Sequence, residues 1–157
     1  MNDIIRYSSN HFYDDRGFFL PIRIQIEKPS QINYSHNFKG TIRGMHAQKY
    51  PFGQTKQLMV LEGTINDVIL DINTKKVKSF KLEEGEGLFV PVGYFHGFEV
   101  LSEQALVMYI VDKAYNPRSE LCINPMSIGH VWETDNPILS DKDKEAMTLS
   151  EYIKRIK

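Results

Sequence analysis

Apolar residues in this chain fall in short runs broken by turn-forming residues, with no long helical stripe until the C-terminus. Strands are predicted at about 18–27, 30–35, 39–46, 56–62, 64–72, 78–82, 87–91, 95–100 and 104–112. Between them lie Lys28-Pro29-Ser30, Tyr50-Pro51-Phe52-Gly53, Glu62-Gly63 and Glu84-Gly85-Glu86-Gly87, all turn formers. The run 104–112 is apolar at both alternating sets of positions, which predicts a strand covered on both faces. The fold class that follows is all-β, two packed sheets or a flattened barrel, with short C-terminal helices. Thr148-Leu149-Ser150-Glu151 has the form of a capping box, with Leu149, Tyr152, Ile153 and Ile156 on one helical face. Ser140-Asp141-Lys142-Asp143 predicts a helical turn just before it.

Four polar residues interrupt these apolar runs: His46, Lys56, His96 and Tyr109. A lysine inside a core strand costs free energy unless something pairs with it. Two imidazoles, an amine and a phenol converging in an apolar barrel would make a proton-transfer site. Each residue also has a plainer reading. His46 and Tyr109 would be hydrogen-bonded core residues, His96 a strand residue after a turn, and Lys56 a guard on a strand edge.

Composition narrows the choice. The 157 residues form most simply one domain spanning 1–157, large enough for a real core. A formal net charge of −1 argues against nucleic acid or a membrane surface as partner. Cys122 is the sole cysteine, which excludes an internal disulfide and a cysteine-built zinc site. The start of the chain has no signal pattern, and no apolar run reaches the ~18 residues of a membrane span. The default expectation is therefore cytoplasmic.

Gly85 to His96 carries Gly, Pro, Gly and His in the spacing G-x5-P-x-G-x2-H, and so resembles the second cupin motif. The first cupin motif lies over Gly40 to Gly63, where His46 matches its first histidine. Gln48 and Lys56 replace the next two ligands of the divalent metal that cupins bind. An ammonium in place of a carboxylate ligand adds a competing cation, which predicts a cupin-type jelly roll without metal; no organic cofactor is expected either.

That pattern is similar to the nucleotide-sugar 3,5-epimerases of the dTDP-4-dehydrorhamnose 3,5-epimerase type. The resemblance runs from about Phe12 to Asp143 and rests on ordered segments: Asp14-Asp15-Arg16-Gly17, Gln31-Ile32-Asn33, Arg43-Gly44-Met45-His46, Gln54-Thr55-Lys56, Pro91 to Phe98, Tyr109, Tyr115-Asn116-Pro117, Glu120 and Leu139 to Asp143. It implies that His46 removes a carbon-bound proton with Asp143 as its carboxylate partner, and that Tyr109 delivers a proton to the opposite sugar face. Lys56 would stand near the developing oxyanion. Arg16, Gln31, Asn33, Arg43, His96, Glu120 and Lys142 would hold a nucleotide-sugar substrate, with Tyr115 stacked on the base. It further implies a homodimer whose N-terminal strands join the partner's sheet, and a product bound for a surface polysaccharide or glycoside.

The chemistry calls for these residue types. Removing a proton beside a ketone places charge on the carbonyl oxygen, where a cation stabilises it. Imidazole is a base usable near neutral pH, and a carboxylate partner fixes its tautomer. Alternatives stay open at this point: Asp141 competes with Asp143, and inversion at C3 alone, a keto-isomerase or a non-catalytic sugar-binding cupin would share much of the pocket. Pro21 and Ala47 depart from the family pattern, where Glu and an aromatic residue are usual. Arg43 and His46 lie three positions apart, so a regular strand would send them to opposite faces. Both can face one site only if Gly44 permits a bulge.

Overall fold

Short alternating runs can bury their apolar side chains only by pairing into sheets that face one another. The computed structural model, which describes residues 3–156, shows this arrangement. In chain order the strands are β1 (Ile5–Ser8), β2 (Phe12–Asp14), β3 (Gly17–Phe19), β4 (Gln31–Phe38), β5 (Ile42–Gln48), β6 (Lys56–Glu62), β7 (Thr64–Asp71), β8 (Lys76–Glu83), β9 (Glu86–Val90), β10 (Tyr94–Val100), β11 (Gln104–Val111) and β12 (Glu120–Cys122). Two short helices follow, α1 (Asp141–Glu145) and α2 (Leu149–Arg155). One five-stranded sheet has the order β1-β9-β6-β11-β4 and the other β12-β5-β10-β7-β8, while β2 and β3 form a separate hairpin. None of the helices is long and apolar enough to cross a membrane among the described residues.

The core between the sheets draws on both. Leu58, Val60, Leu88, Ala105 and Val107 from the first sheet meet Ile65, Ile69, Leu82, Phe98 and Val100 from the second. A second cluster, with Ile42, Met45, Val68, Leu70, Phe95 and Trp132, coats the outer face of β5, β10 and β7. Leu149 and Tyr152 of α2 pack on that layer, and the Tyr152 ring meets Phe95 edge-on at 5.3 Å. Thr148 and Glu151 form the reciprocal capping box expected from sequence.

One expectation needs correction. The predicted strand 18–27 ends at Phe19. Pro21 has no N–H to give a ladder. The next stretch instead lies over β6, held by the buried Gln57 amide: Gln57 donates to the Arg23 carbonyl at 2.6 Å and accepts from the Gln25 N–H at 2.7 Å. The N-terminal strands also divide. β1 pairs with this chain's own β9, whereas the β2–β3 hairpin joins neither large sheet.

The edge strand β4 runs opposite to the usual pattern. Gln31, Asn33, Ser35 and Asn37 are the more buried set, while Ile32, Tyr34 and Phe38 are 61%, 73% and 63% exposed. Polar side chains point inward here because the interior beside β4 is a pocket rather than packed core.

Candidate active site

The pleat of each strand decides what enters the interior. Asp67 lies in register between the inward Ile65 and Ile69 on β7, His96 precedes the inward Phe98 and Val100 on β10, Tyr109 follows Val107 on β11, and Lys56 precedes Leu58 and Val60 on β6. Beside them β5 supplies Arg43 and His46 through an irregularity at Gly44. His46 pairs with His96 and Arg43 with Phe98, so three steps along β5 face two along β10. Gly44 has φ +130°, and a Cβ there would stand 2.6 Å from Gly97 Cα and 2.9 Å from the His96 carbonyl oxygen. Only glycine fits this bulge, and the bulge brings both side chains to one face.

These side chains line an open cavity of about 900 Å³, a size suited to a nucleotide-linked sugar. Eleven of the twelve site residues expected from sequence border it or reach into it: Gln31, Asn33, Arg43, His46, Lys56, His96, Tyr109, Tyr115, Glu120, Lys142 and Asp143. Arg16 does not. It sits at the turn of the β2–β3 hairpin, which belongs to neither large sheet, its guanidinium 2.6 Å from Asp14 and 90% exposed.

The His46 Nε2 lies 2.6 Å from Asp143 Oδ1. Asp143 reaches β5 because Ser140 caps α1, accepting from the Asp143 N–H at 3.2 Å, and the one turn that follows buries that side chain. Asp141, the competing carboxylate, is exposed beside Lys144 at 3.5 Å. Burial alone would raise the Asp143 carboxyl, but hydrogen bonds from His46 and Cys122 and contact with Ser140 outweigh it and hold it below the usual carboxylate range. The Cys122 thiol contacts the same Oδ1 at 3.4 Å; burial first, then the Asp143 charge, push it up to about 12. β12 was not anticipated. It pairs with β5 so that Cys122 lies opposite His46 and Glu120 opposite Gln48.

A second imidazole–carboxylate pair lies deeper. His96 Nε2 is 2.8 Å from Asp67 Oδ2, both buried, while Asp67 Oδ1 has no partner among the described residues. Sequence reasoning did not single out Asp67, although an acid in line with Ile65 and Ile69, on the inward-facing positions of β7, was the available signal. Lys56 donates to the His46 carbonyl at 3.4 Å. Desolvation lowers its ammonium to about 8, against the pull of Asp67 and Glu120. Burial raises the Tyr109 phenol, offset in part by Arg43 and Lys142, so it stays protonated at neutral pH. Asn37, also missed, accepts from Arg43 Nε at 2.6 Å and steadies that guanidinium.

At the pocket mouth, Glu120 accepts from Tyr115 at 2.9 Å and from Lys142 at 2.8 Å. Gln31 accepts from the Tyr115 N–H at 3.1 Å and donates to Asn33 at 2.6 Å. These bonds join three separate segments into one rim.

A family model described as dTDP-4-dehydrorhamnose 3,5-epimerase matches residues 1–151. The chain belongs to this family. It is 32% identical to the dTDP-4-dehydrorhamnose 3,5-epimerase of Escherichia coli K12 over 98% of its own length and 94% of that protein. It is 30% identical to a dTDP-4-dehydro-6-deoxyglucose 3-epimerase of Streptomyces, over 77% and 67% of the two chains. Among solved structures, the Legionella pneumophila 3,5-epimerase in complex with dTDP-4-keto-L-rhamnose matches with a TM-score of 0.85 at 28% identity, covering 94% of this chain and 88% of that one. Membership makes the protein an isomerase-class enzyme of nucleotide-sugar chemistry with the fold of these epimerases.

Proposed function

We propose that the enzyme inverts the carbon centres flanking the ketone of a dTDP-linked 4-keto-6-deoxy sugar by proton removal, enolate formation and reprotonation from the other face. The observation that carries the reading is the His46–Asp143 pair at 2.6 Å on one sheet of a pocket whose other sheet presents the protonated Tyr109 phenol. Asp143 occupies Nε2, so Nδ1 of His46 is the nitrogen left to accept a carbon-bound proton. Its ionised carboxylate stabilises the imidazolium that results. Charge moves onto the sugar's 4-oxygen, where the Lys56 ammonium stabilises it. Tyr109 donates to the opposite face and completes inversion. The linked Tyr115, Glu120 and Lys142 at the mouth suit the nucleotide end of the substrate, with Gln31, Asn33 and Arg43 along the wall. His96, fixed by Asp67, is available to the sugar.

Incubating the enzyme with dTDP-, GDP- and CDP-linked 4-keto-6-deoxy sugars in deuterated water tests this reading. Label at C3 and C5 of the dTDP sugar is the result expected of a 3,5-epimerase, and label at C3 alone that of a 3-epimerase. No label from any of the three donors removes the epimerase reading.

The apolar outer row of β4 and the free β2–β3 hairpin, with Phe12, Tyr13, Phe18 and Phe19 exposed, support a homodimer in which the hairpin docks on the partner. In such a dimer Arg16 would serve the partner's pocket rather than its own.

A further inference from the structure

Cys122 has no part in the epimerase chemistry, yet its thiol lies in the same small cluster as the base and its carboxylate. Sγ and Nε2 of His46 approach one atom, Asp143 Oδ1, at 3.4 and 2.6 Å. One ligand atom from each of the three residues falls within 4.8 Å of the other two. Their backbones are fixed: Cys122 and His46 are directly opposed on β12 and β5, so both side chains share a face, and the capped turn of α1 carries Asp143 against them. Tetrahedral zinc with sulfur, nitrogen and oxygen ligands needs donor separations of roughly 3.3–3.8 Å, which small side-chain rotations provide here. A fourth position opens on the pocket, where His46 is partly exposed. A single cysteine excludes a zinc site built of several thiolates, but not this mixed one.

We infer that Cys122, His46 and Asp143 form an inhibitory site for a thiophilic divalent cation of the Zn²⁺ type. The inhibition rests on the assignment of His46 as base, whereas cation binding does not. On binding, the thiol loses its proton to solvent and a sulfur–metal bond forms. The imidazole proton shifts from Nε2 to Nδ1 as Nε2 takes the cation. Nδ1 then carries a hydrogen and accepts no proton from the sugar. The nearby Lys56 ammonium holds the affinity below that of a structural zinc centre, so chelation strips the cation and leaves the enzyme active.

The test uses full-length, chelator-treated enzyme titrated with Co²⁺ and then Zn²⁺, without substrate. One equivalent of Co²⁺ is expected to give a near-ultraviolet thiolate-to-cobalt absorption that Zn²⁺ displaces. Calorimetry in buffers of different ionisation enthalpy should show about one proton released per cation. Cys122→Ser, which keeps a donor beside Asp143, should lose the band and weaken Zn²⁺ at least tenfold, and Asp143→Asn should weaken it independently. Absence of the band, or unchanged Zn²⁺ affinity in both variants, overturns the site while leaving the epimerase reading intact. A separate assay of the Zn²⁺-loaded enzyme with the dTDP-linked 4-keto sugar should show turnover lost and restored by chelator; cation binding with the expected spectrum but undiminished turnover overturns the inhibition, and the assignment of His46 with it.

Discussion

At the scale of single residues, the pocket is a set of groups whose surroundings push them toward different jobs. His46→Asn is expected to abolish deuterium uptake from solvent, and Asp143→Asn to slow the same step by ~10²–10⁴, while Asp141→Asn leaves it unchanged; exchange measured by NMR distinguishes the three. Asp143 is depressed in the folded state, so its contribution to stability is present above the ordinary carboxylate range and lost as pH falls through its lower native value. Lys56 works in the opposite sense. With a native value of about 8, it is protonated later than in the unfolded chain as pH falls, so it costs stability in full below about pH 8. Lys56→Met should therefore raise the thermal midpoint at pH 7 while turnover collapses. In the wild type, kcat/KM should fall above pH about 8, and Lys56→Arg should move that limb upward. A flat profile to pH 10 would separate Lys56 from the oxyanion.

Among the elements, β5 governs whether the site exists. Gly44→Ala puts a Cβ against Gly97 and the His96 carbonyl at a φ that L side chains rarely adopt. The expected cost is at least ~2 kcal/mol in urea denaturation, together with loss of activity, as Arg43 and His46 lose their common face. The spacing of Arg43 and His46 already required this bulge, because three positions cannot share a face in a regular strand. Inward polar residues were legible for the same reason: His46, Lys56, His96 and Tyr109 each break an apolar run. What sequence did not disclose depends on side chains substituting for backbone. Gln57 replaces a strand partner for residues 23–25, which removes the expected strand after Phe19. β12 has only three residues and no alternation to read, although it carries Glu120 and Cys122 to the pocket. Asp67 passed as part of an apolar strand because its partner, His96, is on another strand.

For the molecule as a whole, the sandwich underlies both the proposed assembly and the proposed stereochemistry. The exposed row Ile32, Tyr34 and Phe38 predicts a dimer in sedimentation velocity, and Tyr34→Glu with Phe38→Glu should shift it to monomer. If Arg16 serves the partner's pocket, that monomer should also lose substrate affinity. Lys56 at the acidic-ligand position of a cupin predicts that exhaustive chelation leaves turnover intact. The deeper consequence of two facing sheets is that the proposed base and the proposed acid belong to opposite walls, His46 on β5 and Tyr109 on β11. Removal and delivery of the proton should then be separable by one substitution that preserves the ring. Following Tyr109→Phe with substrate in deuterated water, and recording exchange and configuration together, reads both steps at once. Retained exchange with inversion reduced by at least ~10² is the expected result. Exchange and inversion falling in equal measure, or neither changing, would contradict a two-walled mechanism with Tyr109 as its acid.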